Sequence, residues 1–301
     1  MRNEVDRTAI EHQKPEPDGH YRIPVFYDDR MAVAVDSRSP SALKPQLVVA
    51  DWLERGLSID IKTFAAATNA DLELAHSSSY VRGVMTGKIE NGFGNFDLGV
   101  AESLRWTNGS FLAAARHVIE LDGFACSPTS GFHHAEYGAG GCFCTFNGLM
   151  IAARALVEDY PGLRVGILDM DFHFGDGTHD IIQRLKLQRR VTYYSGWGKS
   201  DSPNQVLSEL PAIIDRLDCE VLFYQAGADM HIDDPLGGFM TTAQLQERDQ
   251  IVFEHCATHQ LPCVWCLAGG YVVEADGTIP AVIEIHRNTM LACTDIARSA
   301  R

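Results

Sequence analysis

Apolar positions along the chain fall into two rhythms. Short runs rich in β-branched and aromatic residues occur at "RIPVFYD" (22–28), "RVGILDMD" (164–171), "RVTYYS" (190–195), "EVLFYQAG" (220–227) and "PCVWCLAG" (262–269). They are near-continuous rather than alternating, as in strands covered on both faces. Between them, 98–121, 147–159, 178–188, 204–217 and 241–259 carry apolar residues at helical spacing. The last of these opens on "TTAQ", with Thr241 placed to cap the helix and Gln244 at the capping-box position, and it stops before Pro262. This alternation predicts an α/β fold: a single domain with a mostly parallel central sheet and helices on both faces. Residues 1–20, charged and punctuated by Pro15 and Pro17, read as a flexible tail, and the domain covers 21–301. In open sheets of this kind the site lies beyond the carboxyl ends of the strands. That singles out "DMDFHFGD", "SGW", "AGADMHIDDPLGG" and "GGY".

Composition narrows the class. The formal charge is −15, from 40 acidic against 25 basic side chains, which argues against nucleic acid as a partner and suits a cationic substrate. The eight cysteines sit mostly in apolar runs such as "LPCVWCLAGGY", as reduced core thiols do. Cys263 and Cys266 form a C-x-x-C, but on a strand residues three apart face opposite sides, so they read as core rather than as a metal or redox pair. The N-terminal stretch lacks the apolar core of a secretory signal, and no apolar run reaches membrane-span length. The expectation is a soluble, cytoplasmic protein with no membrane partner.

The chemistry gathers in "VGILDMDFHFGDGTHD" (165–180), where Asp169, Asp171, His173 and Asp176 crowd one strand end. Burying several carboxylates together costs several kcal/mol unless a cation compensates, roughly as for any unpaired buried charge. Asp171 and His173, two apart, offer oxygen and nitrogen donors suited to Zn²⁺, Fe²⁺ or Mn²⁺, and Asp229 in "FYQAGADMHIDD" is placed to supply a third. Taken alone, D-x-H reads equally as an N-cap aspartate beside a buried histidine. His133 and His134 are adjacent in "PTSGFHHAEYGAGG", and a histidine serving as a base needs a carboxylate on its other ring nitrogen. Asp169 and Asp176 are the two carboxylates left for that task. Tyr271 follows a Gly-Gly turn in "LAGGY", where its phenol could donate to a developing oxyanion or simply pack.

In this order the motifs resemble the histone deacetylase and acetylpolyamine amidohydrolase family, whose fold is arginase/deacetylase-like. The resemblance runs from "AHSSSYV" through "NGFGNFDLGVAESLRWTNGSFLAAA" to "LAGGY". It implies a deacetylase-like catalytic domain over 21–301 and a Zn²⁺ held by Asp171, His173 and Asp229, with Fe²⁺ as the alternative ion. It implies His134 as general base and acid, His133 as its electrostatic partner, and Asp169 and Asp176 as partners of His133 and His134. Tyr271 matches the carbonyl-polarising tyrosine. Phe143 in "CFCTFN" and Leu236 in "DPLGG" match channel walls, and Ser195 matches a monovalent-cation site, usually K⁺. The implied substrate is a small acylated amine or acyl-lysine.

This chain departs from the pattern at Phe132, Cys142 and Phe174, where the family has Gly, Gly and a second His. The span from Ser195 to Asp229 is short for the family, which removes an aromatic rim loop, with Trp197 as its substitute. The pocket is then either wider or completed by another copy of the chain in a homo-oligomer. An arginase-type ureohydrolase would need Asp where Gly175 stands. An amide hydrolase acting on a small metabolite, and a non-catalytic module that binds acylated amines, remain as alternatives.

Overall fold

Continuous apolar runs become buried strands here because helices cover the sheet on both sides. The computed structural model describes residues 21–35, 37, 39–195 and 202–300. Its strands are β1 Ile23–Phe26, β2 Ile59–Lys62, β3 Phe124–Cys126, β4 Val165–Asp169, β5 Val191–Tyr194, β6 Val221–Gln225 and β7 Cys263–Cys266. They form one sheet in the order β2-β1-β3-β7-β6-β4-β5. Every pairing is parallel, so the sheet expected to be mostly parallel is wholly so among the described residues.

The helices are α1 Lys44–Glu54, α2 Asn69–Glu73, α3 Ser78–Met85, α4 Leu98–Leu121, α5 Gly148–Asp159, α6 Asp176–Arg184, α7 Pro203–Leu217, α8 Thr242–Thr258 and α9 Pro280–Ser299. Strand alternation divides the interior in two. Leu222, Tyr224, Cys263 and Trp265 face a core closed by α1, α7, α8 and α9. Val221, Phe223, Val264 and Cys266 face the other, closed by α2 to α6. Cys263 and Cys266 thus lie on opposite faces, as their spacing predicts.

Capping fixes where several helices begin. The Asp97 carboxylate accepts from Gly99 N at 2.6 Å and starts α4, and the expected box between Thr241 and Gln244 starts α8. The expected helix at 178–188 begins earlier, at Asp176, and ends at Arg184, where Lys186 turns into the left-handed region. β4 stops at Asp169, short of the expected 171, so Asp171 and His173 leave on the turn that follows. No helix among the described residues is long and apolar enough to cross a membrane.

The topology decides which loops meet. β3, β7, β6 and β4 are consecutive neighbours, and their carboxyl ends lead into 127–134, 267–271, 226–229 and 170–176. Every residue singled out for chemistry except Phe143, Leu236, Trp197 and Ser195 lies in or at the edge of those four loops. Trp197 lies outside the described residues.

Candidate active site and metal centre

The turn after β4 brings three donors together. His173 Nδ1 lies 3.1 Å from Asp171 Oδ1 and 3.0 Å from Asp229 Oδ2. One donor atom from each of the three residues falls within 4.8 Å of the others. Asp171 and Asp229 are buried, and His173 is half-buried. Its Nε2 donates to the Leu236 carbonyl at 3.1 Å, which leaves Nδ1 to the carboxylates. Hydrogen bonds to Asp171 and Asp229 raise the His173 pKa to about 11 against the opposing effect of burial. Burial and the adjacent Asp171 carboxylate push Asp229 up. Two carboxylates and one imidazole form the donor set of an open divalent-metal site, and they fit such an ion.

Backbone packing sets the spacing of the donors. Gly269 N donates to Asp171 Oδ2 at 2.9 Å. A Cβ at Gly269 would lie 2.5 Å from Asp229 Oδ2 and 2.7 Å from Asp171 Oδ2, so no other residue fits there. Ala268, just before it, takes the left-handed φ of 55°.

Beside the donors stand two histidine–carboxylate pairs. His133 Nδ1 donates to Asp169 Oδ2 at 2.8 Å, and both side chains are buried. Asp169 also accepts from Tyr193 Oη at 2.7 Å, Gln225 Nε2 at 2.7 Å and Asp171 N at 3.2 Å. Burial alone would lower the His133 pKa, but the charges of Asp169 and Asp171 raise it to about 9. His134 Nδ1 donates to Asp176 Oδ1 at 2.7 Å, with Asp176 exposed at the head of α6. Burial, then the charge of His133, lower the His134 pKa. The two imidazole centroids are 4.1 Å apart.

Tyr271 is half-buried and its ring lies 5.9 Å from that of Phe143, which also packs 5.8 Å from Phe93. Its amide donates to Asp234 Oδ2 at 2.7 Å. Burial first, then Asp171 and Asp229, push the phenol pKa well up, so it stays a donor. Leu236 is exposed and reaches the site through its carbonyl. Ser195 Oγ accepts from Gly175 N at 3.1 Å, under the turn that carries His173. Phe132 is buried and meets Phe111 at 5.4 Å, so its bulk points into the core, away from the donors. Cys142 and Phe174 are exposed.

Two buried cations of the site escaped the sequence reading. Lys44, the first residue of α1, is fully buried and donates from Nζ to the Ala268 carbonyl at 2.5 Å. Burial lowers its pKa to about 8 despite Asp229, Asp171 and Asp234 nearby. Arg248 of α8 is fully buried, pairs with Asp249 at 2.8 Å and donates to the Gly227 carbonyl at 2.7 Å. It thereby braces the loop that ends in Asp229. The dipeptide Arg248-Asp249 at an inward helical position was the signal available for it, whereas Lys44 reads as an ordinary surface residue at a helix start.

Comparison with known proteins gives a consistent likeness. A histone deacetylase domain model matches residues 41–205. An uncharacterized protein of Picosynechococcus sp. is 31% identical over 241 residues, covering 72% of this chain and 80% of that one. Acetylpolyamine amidohydrolase 1 of Pseudomonas aeruginosa is 28% identical over 184 residues, covering 50% of this chain and 51% of that protein. The chain therefore matches only about half the length of that relative. Among solved structures, an acetylpolyamine aminohydrolase from Burkholderia pseudomallei superposes with a TM-score of 0.71 over 90% of this chain and 98% of that one, at 18% identity.

Proposed function

We propose, from the premise that this chain belongs to the histone deacetylase family, that it is a metal-dependent amidohydrolase releasing an acyl group from an amine. The observation that carries this reading is the convergence of Asp171, His173 and Asp229 beside two histidines, each tied through Nδ1 to its own carboxylate. Asp171, His173 and Asp229 would hold one divalent ion, which we assign as Zn²⁺ with Fe²⁺ as the alternative. When bound, the ion supplies Lewis-acid polarisation of the amide carbonyl and acidifies water.

The chain's own residues do the rest. His134, neutral because its pKa is lowered, takes the proton of the attacking water at Nε2 while Asp176 holds Nδ1–H. The same nitrogen returns that proton to the departing amine. His133 keeps its proton near neutral pH and sets a positive charge next to His134 as the substrate carbonyl becomes anionic. Tyr271 donates its hydroxyl hydrogen to that oxygen. Phe143 and Phe93 line the approach, and Leu236 forms its opposite wall. A K⁺ ion beside Ser195 belongs to the same reading as a structural element under the turn. The excess of acidic side chains favours a small cationic acyl-amine, such as an acetylated polyamine, over a neutral amide.

The test is acetate release from acetylated polyamines and an acetyl-lysine peptide by zinc-loaded protein. Turnover is expected, falling about 10²–10³-fold in Tyr271→Phe, the usual cost of one oxyanion donor. Absence of turnover with every member of the panel, together with tight binding of the same acyl-amines, would instead mark a binding module.

A further inference from the structure

A second convergence of ligand-type side chains lies at the opposite edge of the sheet. β6 and β7 are parallel neighbours, and α7 and α8 run back along one face immediately before them. Both helices therefore end side by side at the edge where the strands begin, a full strand length from Asp229. Asp215 sits in the last turn of α7, His255 in the last turn of α8, and His259 caps α8.

His255 and His259 are four residues apart and share a helix face. Their rings stack with centroids 4.1 Å apart and planes at 26°. His255 Nε2 lies 3.3 Å from Asp215 Oδ1 on the neighbouring helix. His259 Nδ1 donates to the His255 carbonyl at 2.8 Å, and a carbonyl only accepts. That bond fixes the neutral tautomer of His259 and leaves its Nε2 lone pair as the available donor. One donor atom from each of the three residues lies within 4.8 Å of the others.

We propose that Asp215, His255 and His259 form a second divalent-metal site, distinct from the donors beyond β4 and β6. Two neutral imidazoles and a carboxylate are the donors that borderline ions such as Zn²⁺, Co²⁺ or Ni²⁺ select. The carboxyl ends of two helices add partial negative charge at the same point. Asp215 and His259 are exposed, so water completes the coordination sphere and the ion enters from solvent. The bound ion clips α7 to α8, the two helices that lead into β6 and β7, whose following loops carry Asp229 and Tyr271. The site stands independently of the hydrolase reading.

The experiment is zinc stoichiometry of the full chain after equilibrium dialysis against micromolar free Zn²⁺, in wild type, His173→Ala, His259→Ala and the double variant. The expected result is two equivalents for wild type, one for each single variant and none for the double variant. His255→Ala should repeat the loss seen for His259→Ala, and circular dichroism should show both variants folded. One equivalent in wild type that disappears in His173→Ala would overturn the proposal. Retention of two equivalents in His259→Ala and in His255→Ala would overturn it as well. If His173→Ala loses nothing while His259→Ala does, the second site stands and the catalytic metal assignment fails.

Discussion

The two histidine–carboxylate pairs are the same chemistry in two settings. His133 with Asp169 and His134 with Asp176 have nearly equal hydrogen bonds, 2.8 Å and 2.7 Å, on neighbouring rings. Their carboxylates differ entirely, with the Asp169 side chain 0% and the Asp176 side chain 59% exposed. In the buried pair the carboxylates act at full strength, and the His133 pKa rises to about 9. In the rim pair solvent weakens Asp176, burial of the ring and the charge of His133 prevail, and the His134 pKa falls. Distance alone sets neither outcome. The rings titrate apart because His133 meets the buried charges of Asp169, Asp171 and Asp229, whereas His134 is governed by its own burial and the charge of His133 and has its carboxylate partner in solvent.

The comparison breaks most visibly if the buried carboxylate is removed. Asp169→Ala strips partners from His133, Tyr193, Gln225 and the Asp171 amide, and it should destabilise the fold by about 3–5 kcal/mol, read by urea denaturation. The rim pair should separate chemistry from stability. His134→Ala is expected to lower kcat by roughly 10²–10⁴, and Asp176→Asn by about 10–100-fold, with the denaturation midpoint of Asp176→Asn unchanged. The subtlest effect is on pH. The proposed mechanism needs neutral His134 and charged His133, so kcat/KM should rise through an inflection below 6.5, hold a plateau, and fall near 9. Because Asp176 raises the His134 pKa, Asp176→Asn should move only the acid limb, and downward. An acid limb that moves up would sink the assignment.

Residues whose local sequence already carries the reason for their placement were legible. The apolar spacing of α4 and the Thr241–Gln244 box of α8 gave those helices their limits within a residue. The five strands flanked by helical patterns were found, and the order of the site motifs matched the loops at their ends. β2 and β3 were missed: "IDIK" is a partly exposed edge strand, and "FAC" is too short for any period to show. α9 was missed although Pro280 at its start and apolar residues at 282, 285, 290 and 293 mark it. A count of available carboxylates singled out Asp169 and Asp176 for the two histidines, the resemblance implied which goes with which, and the hydrogen bonds follow that pairing. Which pair would be buried was not legible, since that depends on Tyr193 and Gln225 arriving from β5 and β6. Lys44 was invisible for the same reason: only the fold brings the start of α1 under the Ala268 carbonyl.

The absence of a side chain at Gly269 bears on how such a protein can change over time. The gap between Asp171 and Asp229 is held open by one missing carbon atom, on a residue that binds nothing with a side chain of its own. A mutation to alanine there would leave every candidate donor in the sequence and still crowd the place of the proposed ion. Under the proposed function, a lineage would then lose catalysis through a single methyl group while all its recognisable motif residues persisted, so an inventory of ligands alone would misjudge which descendants still work.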